Sequence, residues 1–575
     1  MAQRSHRFCL VLHTHLPYLL NHGRWPHGSD WLNEAAVECY LPLLDRLQRL
    51  ARDRVPARLT LNLSPVLTEQ LASDRFRQEF DFFLETRLRY CEDNRGYFRR
   101  TGQTALAGLA DFWEGYFQRM RQIVDGLKGN LVTGFAELEA SGHVEIITCA
   151  ATHGYLPLLS RDESLHLQLR TAVETHRRHF GRPPRGIWLP ECAYRPRGPW
   201  QPPAGTGGAA QAALRPGLEE LLALYGLRFF VADTHLLQGG QTLSAYRDFF
   251  PVLRGLATAQ EPPARQQPSR SPYRPYLVAS PGGRGEAVAF IRDPKSTLQV
   301  WSRDAGYPGD EWYLEFHKKH FPGGMRYWRV TGPGVDLGDK AVYEPQRAEA
   351  RALDHARHFV ALTAEILRGH EREAREYGTL CAPYDAELFG HWWFEGPRWL
   401  EEVFRELGQT EIRPATLSEA LESSGLLEPL MLPEGSWGEG GDHRVWVNRE
   451  TEWTWQRIYE AEQALAGWSA PPAGASPLLR RLLAQACREL LLLQASDWQF
   501  LITTWSARDY AEQRFTEHQA AFSRLMTLAH QVAGGQELSP DEEAELTRLE
   551  QADFAFPDLR ADWFAAGGSS PFLTR

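Results

Sequence analysis

Glu191 and Asp385 are the two carboxylates whose surroundings suit chemistry on a sugar acetal. Glu191 lies in WLPECAYRP (188–196) directly after a short apolar run, and Asp385 lies in APYDAELFGHWWFEG (382–396) after another. Two strand-end carboxylates facing one pocket can divide the work: one attacks the anomeric carbon while the other protonates the departing oxygen. A separation of about 5 to 5.5 Å would mean retention of configuration through a covalent glycosyl-enzyme. Glu387 and Glu395 in the second stretch are expected to pair with local donors or positive charge, and His391, Trp392 and Trp393 to shape or bond the pocket.

Histidines supply the second set of candidates. In His13-Thr14-His15 both imidazoles fall on one side of an extended strand, because side chains there repeat every two residues. Such a pair can bond sugar hydroxyls or hold a metal. The metal reading needs a carboxylate, for which Asp233 beside His235 is the candidate, and it would make the chain a metal-dependent carbohydrate deacetylase. Without conventional zinc spacing, hydroxyl binding is favoured and no metal is expected. His153 closes a further apolar run, VEIITCAATHG (144–154).

The chain holds 19 Trp, 19 Tyr and 28 Phe, more tryptophan than packing alone calls for, and flat aromatic faces are what sugar rings stack on. Trp437 stands between glycines in PEGSWGEGGDHRVW (433–446), without the periodic apolar neighbours of a buried helix face. A formal net charge of −10 argues against nucleic acid as partner. The seven scattered cysteines show no CxxC spacing and predict a reducing, cytoplasmic setting with no disulfide framework. No apolar run is long enough to span a membrane.

These residues must be positioned by a scaffold, and its pattern is visible. Short apolar segments ending in polar residues recur (FCLVLHTH, RLTLNLSP, VEIITCAATHG, GIWLPECAY, FFVADTH, TLCAPYDAE), separated by stretches of helical periodicity such as 163–180. This predicts parallel strands wound with helices, in which functional side chains gather at the strand C-termini. A charged, aromatic helical stretch at about 76–135 reads as an insertion after the second strand. Segments 198–216 and about 240–276, rich in Pro, Gly, Ala, Ser and Gln, read as mobile loops near the site. Strand signals vanish after about residue 430, so residues 1–430 are expected to form the catalytic domain and 431–575 a helical domain contributing to the cleft.

The motifs HTHLPY (13–18), CAATHGYLP (149–157), WLPECAYRP (188–196), YDAELFGHWWFEG (384–396) and PEGSWGEGGDHRVW (433–446) resemble, in order, the five conserved regions of glycoside hydrolase family 57. The resemblance runs on through QVWSRDAGYPG (299–309) and ASDWQF (495–500), and within the family it is strongest to members that branch 1,4-α-glucan. It implies an incomplete (β/α)7 barrel, class α/β, with a helical insertion and a C-terminal α-helical domain. It also implies Glu191 as nucleophile, Asp385 as general acid/base, and no cofactor. The donor and acceptor it implies are α-1,4-glucans such as amylose and glycogen. An α-amylase or 4-α-glucanotransferase of the same family would share both carboxylates. Arg292, Gly309, Trp437, Asp497 and Ser506 fall where the family contacts glucan, and Trp301 and Trp446 occupy matching aromatic positions. Ser506 stands where such enzymes often carry Gln. A tyrosine in the loop after His235 is implied to shield the intermediate from water; Tyr246 is the best match, with Tyr273 and Tyr276 as rivals.

Overall fold

The computed structural model describes residues 5–203, 213–238, 250–256, 270–281, 283, 285–302, 306–468 and 474–564. At its centre stand the parallel strands β1 (Arg7–Thr14), β2 (Leu59–Leu63), β3 (Val144–Ile147), β4 (Gly186–Ile187), β5 (Phe229–Ala232), β6 (Glu286–Ile291) and β7 (Thr379–Asp385). β1 pairs with both β7 and β2, β2 with β3, β4 with β5, and β5 with β6, all parallel. Single parallel bridges, Thr148 to Ile187 and Arg292 to Cys381, join β3 to β4 and β6 to β7. The ring of pairings therefore closes on seven strands, one fewer than the common eight-stranded barrel. An antiparallel strand, Tyr276–Ala279, lies against β6 and carries Glu428–Leu430 on its far side.

These segments become strands because helices cover their outer faces. All five residues of β2 are buried, and β1 is buried from Phe8 onward, so both read as nearly continuous apolar runs. The polar residues at the run ends, His13, Asp385 and the residues just past β3 and β4, are thus delivered to one rim.

Between β2 and β3 run the helices Asp74–Arg100, Thr104–Gly126 and Leu131–Ala140, in the stretch read as an insertion. The first two press Phe76, Phe80, Phe83, Trp113 and Phe117 into the core. Beyond residue 431 come Glu452–Ala466, Pro477–Leu493, Asp497–Thr504, Arg508–Ala533 and Pro540–Ala552. Pro477–Leu493 is buried along almost its whole last three turns, from Leu482 to Leu493.

This helical region is stitched to the strand ends by backbone pairing. Gly154 bridges Ala495 and Tyr194 bridges Gly435, while the backbone N–H of Ser496 donates to His153 O (3.1 Å). All seven cysteines are buried and free.

The two segments read as mobile loops are described only in part. Gly198–Trp200 and Ala213–Arg215 pair as an antiparallel ladder, with Arg215 buried and bonded to Asp162. The tip between them, and residues 239–249 with Tyr246, lie outside the described residues.

Candidate active site

Glu191 sits on a strained turn. β4 is only two residues long, and the chain then enters the left-handed region at Glu191 (φ 59°) and Cys192 (φ 47°). Residues with a Cβ enter that region at a cost of order 1–3 kcal/mol each. The glycine-rich loop holds the turn: Trp437 N–H donates to Glu191 O (3.1 Å), and Tyr194 and Gly435 exchange two backbone bonds (2.8 and 3.0 Å). The side chain is received by the same loop and by the helical region. Trp437 Nε1–H donates to Oε2 (2.9 Å), and Ser496 Oγ lies 3.2 Å from Oε1. Burial pushes the Glu191 carboxyl up to about 8; the Trp437 donor opposes this, and the charges of Asp385 and Asp497 add to it.

Behind Glu191 the histidines form a chain. His153, itself at positive φ (59°), places Nδ1 2.8 Å from Ser496 Oγ and Nε2 3.0 Å from His13 Nε2. His13 Nδ1 reaches Asn62 Oδ1 at 2.6 Å. Burial, reinforced by neighbouring imidazoles, pushes His13 down to about 3 and His153 well below the usual histidine range. His15 joins the set through Ser64 Oγ (2.8 Å) and Asp497 Oδ2 (2.9 Å). Its ring stacks on His153 with centroids 4.1 Å apart.

Asp385 ends β7 in register with His13, partly buried. The chain then turns sharply past Ala36–Tyr40. It can do so because Gly390, at φ 117°, lacks a Cβ that would stand 1.8 Å from Glu38 O. Glu387 accepts from Tyr40 Oη–H (2.6 Å) and His15 N–H (3.2 Å), and burial pushes it up to about 8. Glu395 accepts from Tyr343 Oη–H (2.7 Å) and Leu314 N–H (3.0 Å), and burial pushes it up to about 7. Both therefore pair with neutral donors. His391 is turned by Glu38 (2.7 Å); burial pushes Glu38 up, yet Arg326 and His391 outweigh that and hold it at about 2.

The rim encloses a cavity of about 210 Å³ lined by His13, His15, His153, Glu191, Asp385, Glu387, His391, Trp301, Trp437 and Asp497, among others. Trp31, Phe250, Phe500, Leu501 and the half-exposed Trp392 complete its apolar wall. Trp301, Trp392, Phe250 and Leu388 also line an adjoining groove of about 1210 Å³, and Gly309 belongs to that groove. The pocket thus offers two carboxylates and aromatic walls beside a larger groove, whereas His13, His15 and His153, expected to bond sugar hydroxyls, have both ring nitrogens engaged within the protein.

Several expected contacts are displaced. Arg292 is buried, paired with Asp233 (2.9 Å) and set over the Trp437 ring (5.4 Å), so it supports Trp437 and is not among the residues that line the cavity. Trp446 is fully buried against Tyr155 (centroids 4.6 Å) and presents no face for stacking. Ser506 is exposed and bonds Thr504 Oγ1 (2.8 Å), away from the cavity lining. Of the rival tyrosines, Tyr273 Oη donates to Asp293 Oδ1 (3.0 Å) and Tyr276 Oη to Ser271 O (2.7 Å), and neither lines the cavity.

Sequence reasoning missed Trp31, Phe250, Phe500 and Leu501, apolar residues without a motif signal. It also passed over Ser496, which stands inside the ASDWQF stretch beside Asp497.

A metal set of His13, His15 and Asp233 is not assembled, because Asp233 is taken by Arg292 and by His235 Nδ1 (3.0 Å). His15, His153 and Asp497 do bring one possible ligand atom each within 4.8 Å of one another. Their nitrogens are engaged with Ser64, Asp497, Ser496 and His13, which makes the group a hydrogen-bond network. His22, His518 and Asp553 form a similar group, in which Arg514 donates to His518 Nε2 (2.9 Å).

Residues 9–331 match glycosyl hydrolase family 57, and residues 457–564 match the C-terminal region of 1,4-alpha-glucan branching enzymes. The chain belongs to glycosyl hydrolase family 57. A family member curated as a 1,4-alpha-glucan branching enzyme of Thermococcus kodakarensis is 42% identical over 517 residues, 90% of this chain and 72% of that one. The crystal structure of a family 57 branching enzyme from Pyrococcus horikoshii superposes with TM-score 0.87 at 38% identity, covering 98% and 97% of the two chains. That of the alpha-amylase AmyC from Thermotoga maritima gives 0.79 at 27% identity, covering 98% and 100%.

Proposed function

We propose that the protein is a branching enzyme of α-1,4-glucan acting by retaining double displacement. The observation that carries this is the Glu191 carboxyl, held by Trp437 Nε1–H and Ser496 Oγ at the floor of an aromatic pocket whose rim holds Asp385. Its relationship to branching enzymes over nearly the whole chain supports the same reading.

One glucosyl unit occupies the small cavity and the chain continues along the adjoining groove. Glu191 attacks C1 while Asp385 protonates the leaving oxygen, giving a glycosyl ester on Glu191. Asp385 then takes the proton of an acceptor 6-hydroxyl as that oxygen displaces Glu191, and an α-1,6 branch forms with configuration retained. Asp497 bonds ring hydroxyls, while Trp301, Trp392 and Trp437 wall off water. Segment 431–575 acts as a helical domain that completes the cleft, through Trp437 and Asp497.

Amylose and glycogen serve as donor and acceptor, which places the enzyme in glycogen-type glucan synthesis, in the cytoplasm. Among the described residues no helix is long and apolar enough to cross a membrane.

The likeness to an alpha-amylase keeps hydrolysis as the second reading. Incubation with amylose distinguishes them: proton NMR should show new α-1,6 linkages, with reducing ends appearing mainly after debranching. Reducing ends without an α-1,6 signal would overturn branching in favour of hydrolysis. Glu191→Gln and Asp385→Asn should each lose nearly all activity.

A further inference from the structure

Ser496 has a single hydroxyl proton and two neighbours that could take it. Its Oγ lies 2.8 Å from His153 Nδ1 and 3.2 Å from Glu191 Oε1. Which of them receives the proton follows from the far end of the chain. Asn62 Nδ2 donates to Ile147 O (3.2 Å), which turns Oδ1 toward His13 Nδ1 (2.6 Å). His13 must therefore carry its proton on Nδ1 and present a bare Nε2. That nitrogen accepts from His153 Nε2–H (3.0 Å), so a neutral His153 has a bare Nδ1. Ser496 then donates to His153, and its remaining lone pair faces Glu191 Oε1. Only a protonated Oε1 satisfies that contact, so in the resting enzyme Glu191 is the acid at the head of the chain.

We propose that Ser496 is a positioning residue for Glu191, the hydroxyl through which the nucleophile passes its proton to His153 and by which its carboxylate is then held. The step rests on Glu191 being the nucleophile. The Oε1–H bond of Glu191 breaks as Ser496 Oγ accepts that proton, and the original Ser496 proton bonds to His153 Nδ1. The products are a Glu191 carboxylate accepting from Ser496 and an imidazolium at His153 that donates to Ser496 through Nδ1 and to His13 through Nε2. No other proton moves, and no oxidant or co-reactant is needed.

The groups around the step are known from every side. Glu191 faces Trp437 from the glycine-rich loop, Asp385 from β7 and Asp497 from the following helix, as well as His153 and Ser496. His153 faces His13 and His15 from β1. The burial that pushes Glu191 up and His153 down is consistent with the resting arrangement. Asp385 is only partly buried.

Ser496 is also placed independently of its hydroxyl, because its backbone N–H bonds His153 O (3.1 Å). Ser496→Ala should thus keep the fold and remove only the switch. The test is the pH profile of kcat/KM on amylose for the full chain, compared among wild type, Ser496→Ala, Ser496→Thr and Ser496→Cys. The expected result is an acid limb moved up by about one pH unit in the Ala variant, so roughly tenfold lower kcat/KM on that limb. Thr should restore the limb, and the weaker thiol donor of Cys should give an intermediate shift. A limb that stays in place in both Ala and Cys variants, whatever happens to kcat, would overturn the relay, because a purely structural serine lowers activity without moving it. Glu191→Gln, measured alongside, separates the two failures: activity retained there sinks the nucleophile assignment, whereas activity lost with an unmoved limb sinks the relay alone.

Discussion

Replacing Trp437 by Phe keeps an aromatic face in the pocket but removes the indole N–H that bonds Glu191 Oε2 at 2.9 Å. A hydrogen bond to a charged acceptor contributes about 1.5–3 kcal/mol, and a pKa unit corresponds to 1.36 kcal/mol, so the carboxyl should rise by about 1–2 units. Starting from about 8, the ionised share of Glu191 at pH 7 would fall from about one in ten to between about one in a hundred and one in a thousand. The expected loss in kcat/KM at pH 7 is therefore about 10–100-fold, shrinking as pH rises toward the shifted value.

The assay is a pH series of kcat/KM on short amylose, which reports ionisations of the free enzyme. If Trp437→Phe loses the same factor at every pH, the indole serves only as a wall and its bond to the nucleophile has no part in setting ionisation.

Other outcomes follow from the same geometry. Glu191→Gln should stabilise the protein as pH rises: a folded-state carboxyl near 8 retains a proton that the unfolded chain releases near 4.3, so folding costs more through that window. Urea denaturation should show little gain at pH 5 and about 3–5 kcal/mol at pH 8. Arg292→Met removes the guanidinium from buried Asp233, leaving it only its His235 bonds, and should cost about 3–5 kcal/mol, most of it recovered in the double variant with Asp233→Asn. Trp446→Phe should lower the midpoint of thermal unfolding while leaving KM for amylose within about twofold, whereas a stacking residue would raise KM; its full burial is the reason.

The barrel was legible where strands end in polar residues. Six apolar runs stand out in that way, and their parallel winding follows from the helical stretches between them. β6 (EAVAFI) escaped because it is followed by Arg292 and Asp293, and not by a residue type expected to react. Glu191 and Asp385 were readable because their flanking aromatics and prolines are unusual. Trp446 and Arg292 were placed against sugar by position in a motif, yet motif position does not say which side of a loop a side chain takes. Trp446 packs under Gly438, where an added Cβ would stand 2.6 Å from the indole. Phe500 and Leu501 sit on a helix whose only charged residue is Asp497, and nothing in their spacing distinguishes a cavity wall from a core.

Both side chains that bond the Glu191 carboxyl, Trp437 and Ser496, come from beyond residue 431, while the carboxyl itself stands at a strand end more than 240 residues earlier. The same two segments hold the backbone at Glu191 and His153, both of which occupy left-handed conformations. The barrel rim alone would thus leave Glu191 on an unsupported strained turn, with no donor to stabilise its charged form. The helical region supplies the support and the donors together, and its Phe500 and Leu501 close the cavity against water. The covalent intermediate of the proposed mechanism, which must wait for a carbohydrate acceptor, gains from that closure, since any water admitted to C1 would divert it to hydrolysis. The coupling of the two halves is therefore best understood as a condition for transfer, and loosening the Gly154–Ala495 or Tyr194–Gly435 pairing should raise the hydrolytic share of the product before it abolishes turnover.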